Sequence, residues 1–217
     1  MTKAVERAYE QIRHFILSGK YSAGLHLTEE MLANDIDVSR TPVREALRRL
    51  NAEHLVQFIP NQGAFVTTWS HDDVDDIFQL RIMLEGYSAF RAATRISDES
   101  IRQLEQCASE IEALSVNRTP DKNPAMIKIN HRFHSIIMEA ASSERIVRIL
   151  SWLVEIPMIL KTLEMYDDTD VARSNYQHRE LIDALKSRDG LWAQSVMESH
   201  LRAAHNIFVK RNNMFSD

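Results

Sequence analysis

Helical periodicity runs through nearly all of this 217-residue chain, and two short β-prone runs interrupt it. They are Leu55-Val56-Gln57-Phe58-Ile59 and Ala64-Phe65-Val66-Thr67-Thr68, separated by Pro60-Asn61-Gln62-Gly63. Two such runs around a Gly-containing turn predict a β-hairpin. The rest must pack as helices. Five Gly and five Pro in the whole chain are too few for the turns of a sandwich or barrel.

Three helical stretches precede the hairpin. Val5, Ala8, Tyr9, Ile12 and Ile16 recur at helical spacing from Lys3 to Ser18, and Gly19 ends that run. Lys20–Leu27 reads as a loop. Thr28 is an N-cap candidate before Glu29, Glu30 and Met31, with Met31, Leu32 and Ile36 facing inward. Ser39 is the next cap candidate, Pro42 sits early in the third helix where proline is tolerated, and Val43, Ala46, Leu47 and Leu50 make its apolar face. Three helices plus a hairpin form a winged helix-turn-helix.

From Ser70 onward only helices are predicted, over about 71–94, 98–114, 123–141, 143–165, 169–187 and 190–210, an all-α antiparallel bundle. Ser70 and Ser97 are cap candidates, and Pro157 should kink or divide the fourth of these helices. The predicted domains are 1–69 and 70–217.

Charge separates the two. The net charge is −5, yet residues 1–69 balance at eight basic and eight acidic side chains. Four of those eight basic residues, Arg40, Arg44, Arg48 and Arg49, fall within ten positions. A local basic face suffices to meet phosphate, because screening limits the field to about 10 Å. One cysteine, Cys107, excludes an internal disulfide framework or a cysteine zinc cluster. No apolar run approaches the roughly 20 residues of a membrane span. The N-terminus lacks a signal-peptide core, so the expected compartment is the cytoplasm, with no membrane partner.

Ser39-Arg40-Thr41-Pro42-Val43-Arg44-Glu45-Ala46-Leu47-Arg48-Arg49-Leu50 is the most informative segment. A recognition helix contacts base edges with residues near its N-terminus, and arginine can give guanine two hydrogen bonds. On its own the segment could equally be a solvated amphipathic helix. The short helix before it and the hairpin after it favour recognition of double-stranded DNA.

SRTPVREALRRL (Ser39–Leu50), LTEEMLAN (Leu27–Asn34) and LVQFIPNQGAFVT (Leu55–Thr67) together resemble the GntR superfamily of bacterial transcription regulators. The resemblance implies that Ser39, Arg40, Thr41 and Arg44 contact DNA, with Arg48 further along the same helix, and that Gly63 lies at the tip of the wing. Glu30 departs from members that carry arginine there, so their operator cannot be transferred. LRIMLEGYSAFRAAT, INHRFHSII, QHRELIDAL and MESHL resemble the FCD ligand domain of the FadR/VanR-type branch, in its shorter six-helix form. That resemblance implies a metal held by Asn130, His134, His178 and His200; imidazole ligands suit a divalent ion, zinc first and nickel second.

The residues support this reading independently. Asn130 and His134 are four apart and share a helix face. His178 lies on the stripe of Leu181 and Leu185, and His200 lies among Val196, Met197, Ala204 and Ile207. A lone histidine on an apolar face is ordinarily a core residue with satisfied partners. Three from three helices are harder to satisfy that way, because each buried imidazole needs partners, and imidazole suits zinc, nickel, iron or copper. His14, His26, His54, His71, His131 and His205 are expected to be ordinary surface or core residues. Arg81 and Glu85, four apart, leave two readings open. One is a buried ion pair. The other is the family's cavity arginine holding an effector carboxylate.

The expected protein is thus a homodimeric regulator, a repressor as most of the family are. It would bind a two-fold symmetric operator and respond to a small carboxylate effector. The alternative is a metal-dependent enzyme of the helical-bundle type with an accessory N-terminal domain, which leaves residues 39–50 unexplained. A helical protein adaptor fails on the same segment.

Overall fold

A computed structural model describes residues 3–116, 118–153, 162–163 and 165–211. The described residues form two compact units that meet in sequence at Trp69 and Ser70.

In the first unit, α1 (Lys3–Leu17), α2 (Glu29–Ile36) and α3 (Arg40–Ala52) pack with a small sheet. Ala8, Ile12, Leu32, Val43, Ala46, Leu47 and Leu50 are fully or almost fully buried there, joined by Leu27, Val56, Ala64 and Val66 from the strands. Thr28 caps α2 as the sequence predicts, its hydroxyl accepting from Met31 N at 3.1 Å. Ser39 occupies the N-cap position of α3 with extended backbone, but its side chain makes no cap bond.

The hairpin forms from β2 (Val56–Ile59) and β3 (Gly63–Val66), in register from Val56 opposite Val66 to Ile59 opposite Gly63. Lys20–Leu27 is not wholly a loop. His26–Leu27 forms a further strand, β1, antiparallel to β3, giving the order β1-β3-β2. Leu27 is buried and the His26 ring stacks on Phe65 at 4.6 Å. Two residues are too few to show a period of two. Gly63 does not sit at the extreme of the turn. It opens β3 at φ 103°, a conformation that favours glycine.

The second unit holds α4 (His71–Ala93), α5 (Asp98–Ser115), a 3-10 turn (Pro120–Lys122), α6 (Asn123–Ala140), α7 (Glu144–Leu153), α8 (Asp168–Lys186) and α9 (Gly190–Arg211). A capping box starts α4: Asp73 N donates to Ser70 Oγ at 3.1 Å, and Ser70 N donates to Asp73 Oδ2 at 2.9 Å. Ser97 caps α5. Asp167 and Asp170 form a second capping box, at the start of α8. Pro157 lies outside the described residues. The core draws on several helices: Ile82, Ala89 and Ala93 from α4, Leu104 and Ala108 from α5, Phe133 and Ile137 from α6, Leu181 and Leu185 from α8, and Met197 and Leu201 from α9. No described helix is long and apolar enough to cross a membrane.

Candidate metal centre and nucleic-acid interface

Three core helices of the second unit each project one histidine into a common cavity. His134 comes from α6, His178 from α8 and His200 from α9, and all three are buried. Their ring centroids stand 4.9–6.0 Å apart, and one nitrogen from each lies within 4.8 Å of the others. Each falls on the inward stripe of an amphipathic helix, which is why the spacing in sequence could predict the convergence.

Hydrogen bonding divides the ring nitrogens into used and unused. Nδ1 of His134 is 2.8 Å from Glu85 Oε2, and Glu85 Oε1 accepts from Arg81 Nε at 2.8 Å. Nδ1 of His200 is 3.3 Å from Gln177 Oε1, and Gln177 in turn donates to Ser199 Oγ. A carboxylate or amide oxygen on Nδ1 leaves Nε2 as the free donor atom, the arrangement typical of ligating histidines. Both ring nitrogens of His178 are buried without a partner among the described residues. An unpaired buried polar atom costs roughly 1–3 kcal/mol, so this ring is poorly explained as a core residue and well explained as a ligand. The donor set fits a divalent ion such as zinc or nickel.

The ionisation states agree. Burial and the neighbouring His134 push His178 down to about 3, and burial likewise drives His200 far below its ordinary value. Neutral rings offer lone pairs. Burial opposes ionisation of Glu85, but Arg81 and His134 outweigh it and hold the carboxyl at about 2.

The cavity measures about 50 Å³. An ordered water takes roughly 10–15 Å³ on this measure, so several waters or a small polar ligand fit. Beside the histidines its walls carry Arg81, Asn130, Thr162, Tyr166 and Asn175. Arg81 joins a buried pair and also lines the cavity. Its Nε belongs to the pair with Glu85, and its guanidinium lies 5.7 Å from the centre of the Phe78 ring. Asn130 lines the same wall. Burial raises the Tyr166 hydroxyl to about 12, so it stays a neutral donor. Arg118 donates to the Tyr166 carbonyl at 2.7 Å and to the Leu163 carbonyl, and thereby holds this wall in place.

On the first unit, Ser39, Arg40, Thr41, Arg44 and Arg48 are all exposed, from the N-cap to the third turn of α3. Helical spacing gathers Arg40, Thr41, Arg44 and Arg48 into an arc of about 100°. Arg49 is turned away, with its guanidinium 3.4 Å above the Tyr9 ring and bonds to Glu6 and Glu53. Two partners went unseen in the sequence. Glu29 grips Arg44 at 2.7 and 2.8 Å, and Glu30 lies 3.2 Å from Arg40. Of the remaining histidines, His131 is exposed, and His205 pairs with Asp75 at 2.6 Å and stacks on Phe78.

Residues 4–66 match the gntR family of bacterial regulatory proteins and residues 76–203 match the FCD domain. The chain belongs to the GntR family, with an FCD domain. Relatives include the HTH-type transcriptional regulator YdhC of Bacillus subtilis, 25% identical over 88% of this chain and 85% of its own length. The HTH-type transcriptional repressor RspR of Escherichia coli is 26% identical over 91% and 85%. A gluconate operon transcriptional repressor of Bacillus licheniformis is 25% identical over 82% and 74%. Among solved structures, E. coli McbR/YncC superposes with a TM-score of 0.77 at 19% identity, covering 98% of this chain and all of the other. A GntR regulator of Rhodococcus sp. RHA1 superposes with 0.72 at 21%, covering 97% and 99%. These two show the fold. This GntR chain is therefore a DNA-binding transcriptional regulator that takes a small-molecule effector in its FCD domain. Families and relatives alike are regulators, which decides against the metal-dependent enzyme.

Proposed function

We propose that this regulator is a homodimeric, cytoplasmic repressor whose operator affinity is set by a small carboxylate effector bound beside a divalent metal. The observation that carries the reading is the trio His134, His178 and His200, above all the two nitrogens of His178 that lack a partner among the described residues. These three would hold the ion, with Asn130 as a fourth ligand through its side-chain oxygen. Zinc is the first choice and nickel the second. When bound, the metal supplies a positive charge that draws an anionic ligand. The chain's part is to orient it: Arg81 offers its guanidinium to a carboxylate, and the Tyr166 hydroxyl and Asn175 stand by as neutral hydrogen-bonding groups.

Ser39, Arg40, Thr41, Arg44 and Arg48 would meet DNA from the exposed arc of α3, with Gly63 at the wing. Repression is supported by the relatives named as repressors. The dimer is supported by an apolar stripe on α4. Leu80, Met83, Tyr87 and Phe90 are all exposed at three- and four-residue spacing, continued by Leu191 and Trp192 at the start of α9. Such a patch on one helix face marks an interface, and a second copy gives the symmetry that a two-fold operator needs. The test is elemental analysis of protein purified without an affinity tag, with operator binding measured before and after chelation. Less than a tenth of an equivalent of transition metal, with no uptake of added zinc or nickel, overturns the metal centre.

A further inference from the structure

Arginine 44 is not a loose surface cation. The Glu29 carboxylate spans its Nε/Nη2 edge, with Nε donating to Oε1 at 2.7 Å and Nη2 donating to Oε2 at 2.8 Å. Two parallel bonds fix the plane of the guanidinium as well as its position. Glu29 stands in the first turn of α2 and Arg44 in the second turn of α3, so the clamp also ties one helix to the other. The neighbouring pair differs. Glu30 reaches Arg40 through one contact at 3.2 Å, between side chains that are both mostly exposed.

A carboxylate on a DNA-facing surface is electrostatically unfavourable, since phosphate repels it. Helix 2 gains something from acidic residues in its first turn, but that gain does not require the bidentate clamp. A guanidinium held along one side edge still has its Nη1/Nη2 end free. That end carries two hydrogens at the separation that matches guanine O6 and N7. An unclamped arginine on α3 can swing to a phosphate instead, where it contributes affinity and no sequence information.

We infer that Glu29 is a positioning residue for operator reading: it holds the Nε/Nη2 edge of Arg44 so that the Nη1/Nη2 end is presented to a guanine. The inference rests on the proposal that Arg44 meets DNA. Hydrogen bonding from Arg44 also keeps the Glu29 carboxyl below its ordinary range, so the clamp is charged at neutral pH.

Electrostatics and positioning predict opposite things for Glu29→Gln. Removing a charge near phosphate raises affinity for any duplex. Losing the clamp lowers discrimination at one base pair. The experiment first selects an operator from a random duplex pool with the full-length wild-type protein. Arg44→Ala then identifies the base pair whose preference disappears. Fluorescence anisotropy at one fixed salt measures wild type, Glu29→Gln, Arg44→Ala and the double variant on the selected duplex, on duplexes changed at that base pair, and on random duplex. The expected result is a drop of about tenfold in preference at that base pair for Glu29→Gln, with random-duplex affinity equal or higher, and no further loss of preference when the change is added to Arg44→Ala. Preference kept within twofold overturns the inference. So does an equal loss on every duplex, which marks Glu29 as structural. If the wild type selects no sequence, or Arg44→Ala binds its operator normally, the recognition reading itself falls and takes the inference with it.

Discussion

Nδ1 of His134 lies 2.8 Å from the Glu85 carboxylate, and that contact decides which ring nitrogen is left for the cavity. Glu85 is ionised because Arg81 bonds its other oxygen. Its acceptor oxygen therefore demands a proton on Nδ1 and leaves the Nε2 lone pair open. Three residues on two helices thus set one imidazole in the tautomer that a metal requires.

Glu85→Gln should test that relationship. The amide keeps the shape but not the charge, and it can present either an oxygen or an NH₂ to His134. Metal affinity is expected to fall by about 10–100-fold, the usual effect of losing an outer-shell partner. Competition with a chelator of known strength measures it. Unchanged affinity would leave Glu85 as a partner of Arg81 alone.

His178 separates stability with and without metal. Its two nitrogens are buried without partners among the described residues, a cost of roughly 1–3 kcal/mol in the metal-free chain. His178→Leu should therefore melt at or above the wild type after chelation. With metal at about 100 times its Kd the wild type gains roughly 2.7 kcal/mol, and the order should reverse. Thermal melts of both proteins in both states check the crossing. A variant that melts lower in both states by the same margin makes His178 an ordinary packing residue.

How far the sequence revealed this centre depends on separation along the chain. Arg81 and Glu85 are four apart, so their pairing is open to reading, and the three histidines follow from the family resemblance, with their place on apolar stripes in support. That Glu85 also reaches His134 is not open to reading, because 49 residues and a tertiary contact separate them. The Glu29–Arg44 clamp is likewise a product of how α2 meets α3, 15 residues apart. Thr28, Ser70 and Ser97 were legible as caps, since capping is local. Strand β1 was hidden because its pairing partner, β3, lies nearly forty residues downstream.

The capping box at α4 offers a local test. Ser70→Ala should cost about 1 kcal/mol of stability. Hydrogen bonds from the Ser70 side chain and backbone hold the Asp73 carboxyl below its ordinary range. A depressed carboxyl contributes above its unfolded value and loses that contribution as pH falls through the folded one. The gap between wild type and Ser70→Ala should thus be full at neutral pH and narrow in acid below the ordinary aspartate range. Urea unfolding across pH measures it, and a gap independent of pH removes Asp73 from the box.

Arg81 requires the most careful substitution, because it pairs with Glu85 and also lines the cavity. Removing it outright leaves the buried Glu85 carboxylate without its guanidinium, and breaking such a pair costs about 3–5 kcal/mol. Arg81→Ala should therefore lower Tm clearly, and a lost effector response in that protein would say little about ligand contact. Arg81→Lys keeps a positive charge beside Glu85 but gives up the planar fork that can hold two carboxylates at once. Its fold and its operator affinity without effector are expected to stay near wild type. Its response to a carboxylate effector should shift to at least about tenfold higher concentration, since one charged hydrogen bond is worth roughly 1.5–3 kcal/mol. The measurement is the effector midpoint for release of operator DNA, compared with Tm on the same samples. A lysine variant with normal Tm and an unmoved midpoint would confine Arg81 to its bond with Glu85, and the effector would then have to be held by Asn130, Tyr166, Asn175 and whatever the three histidines bind.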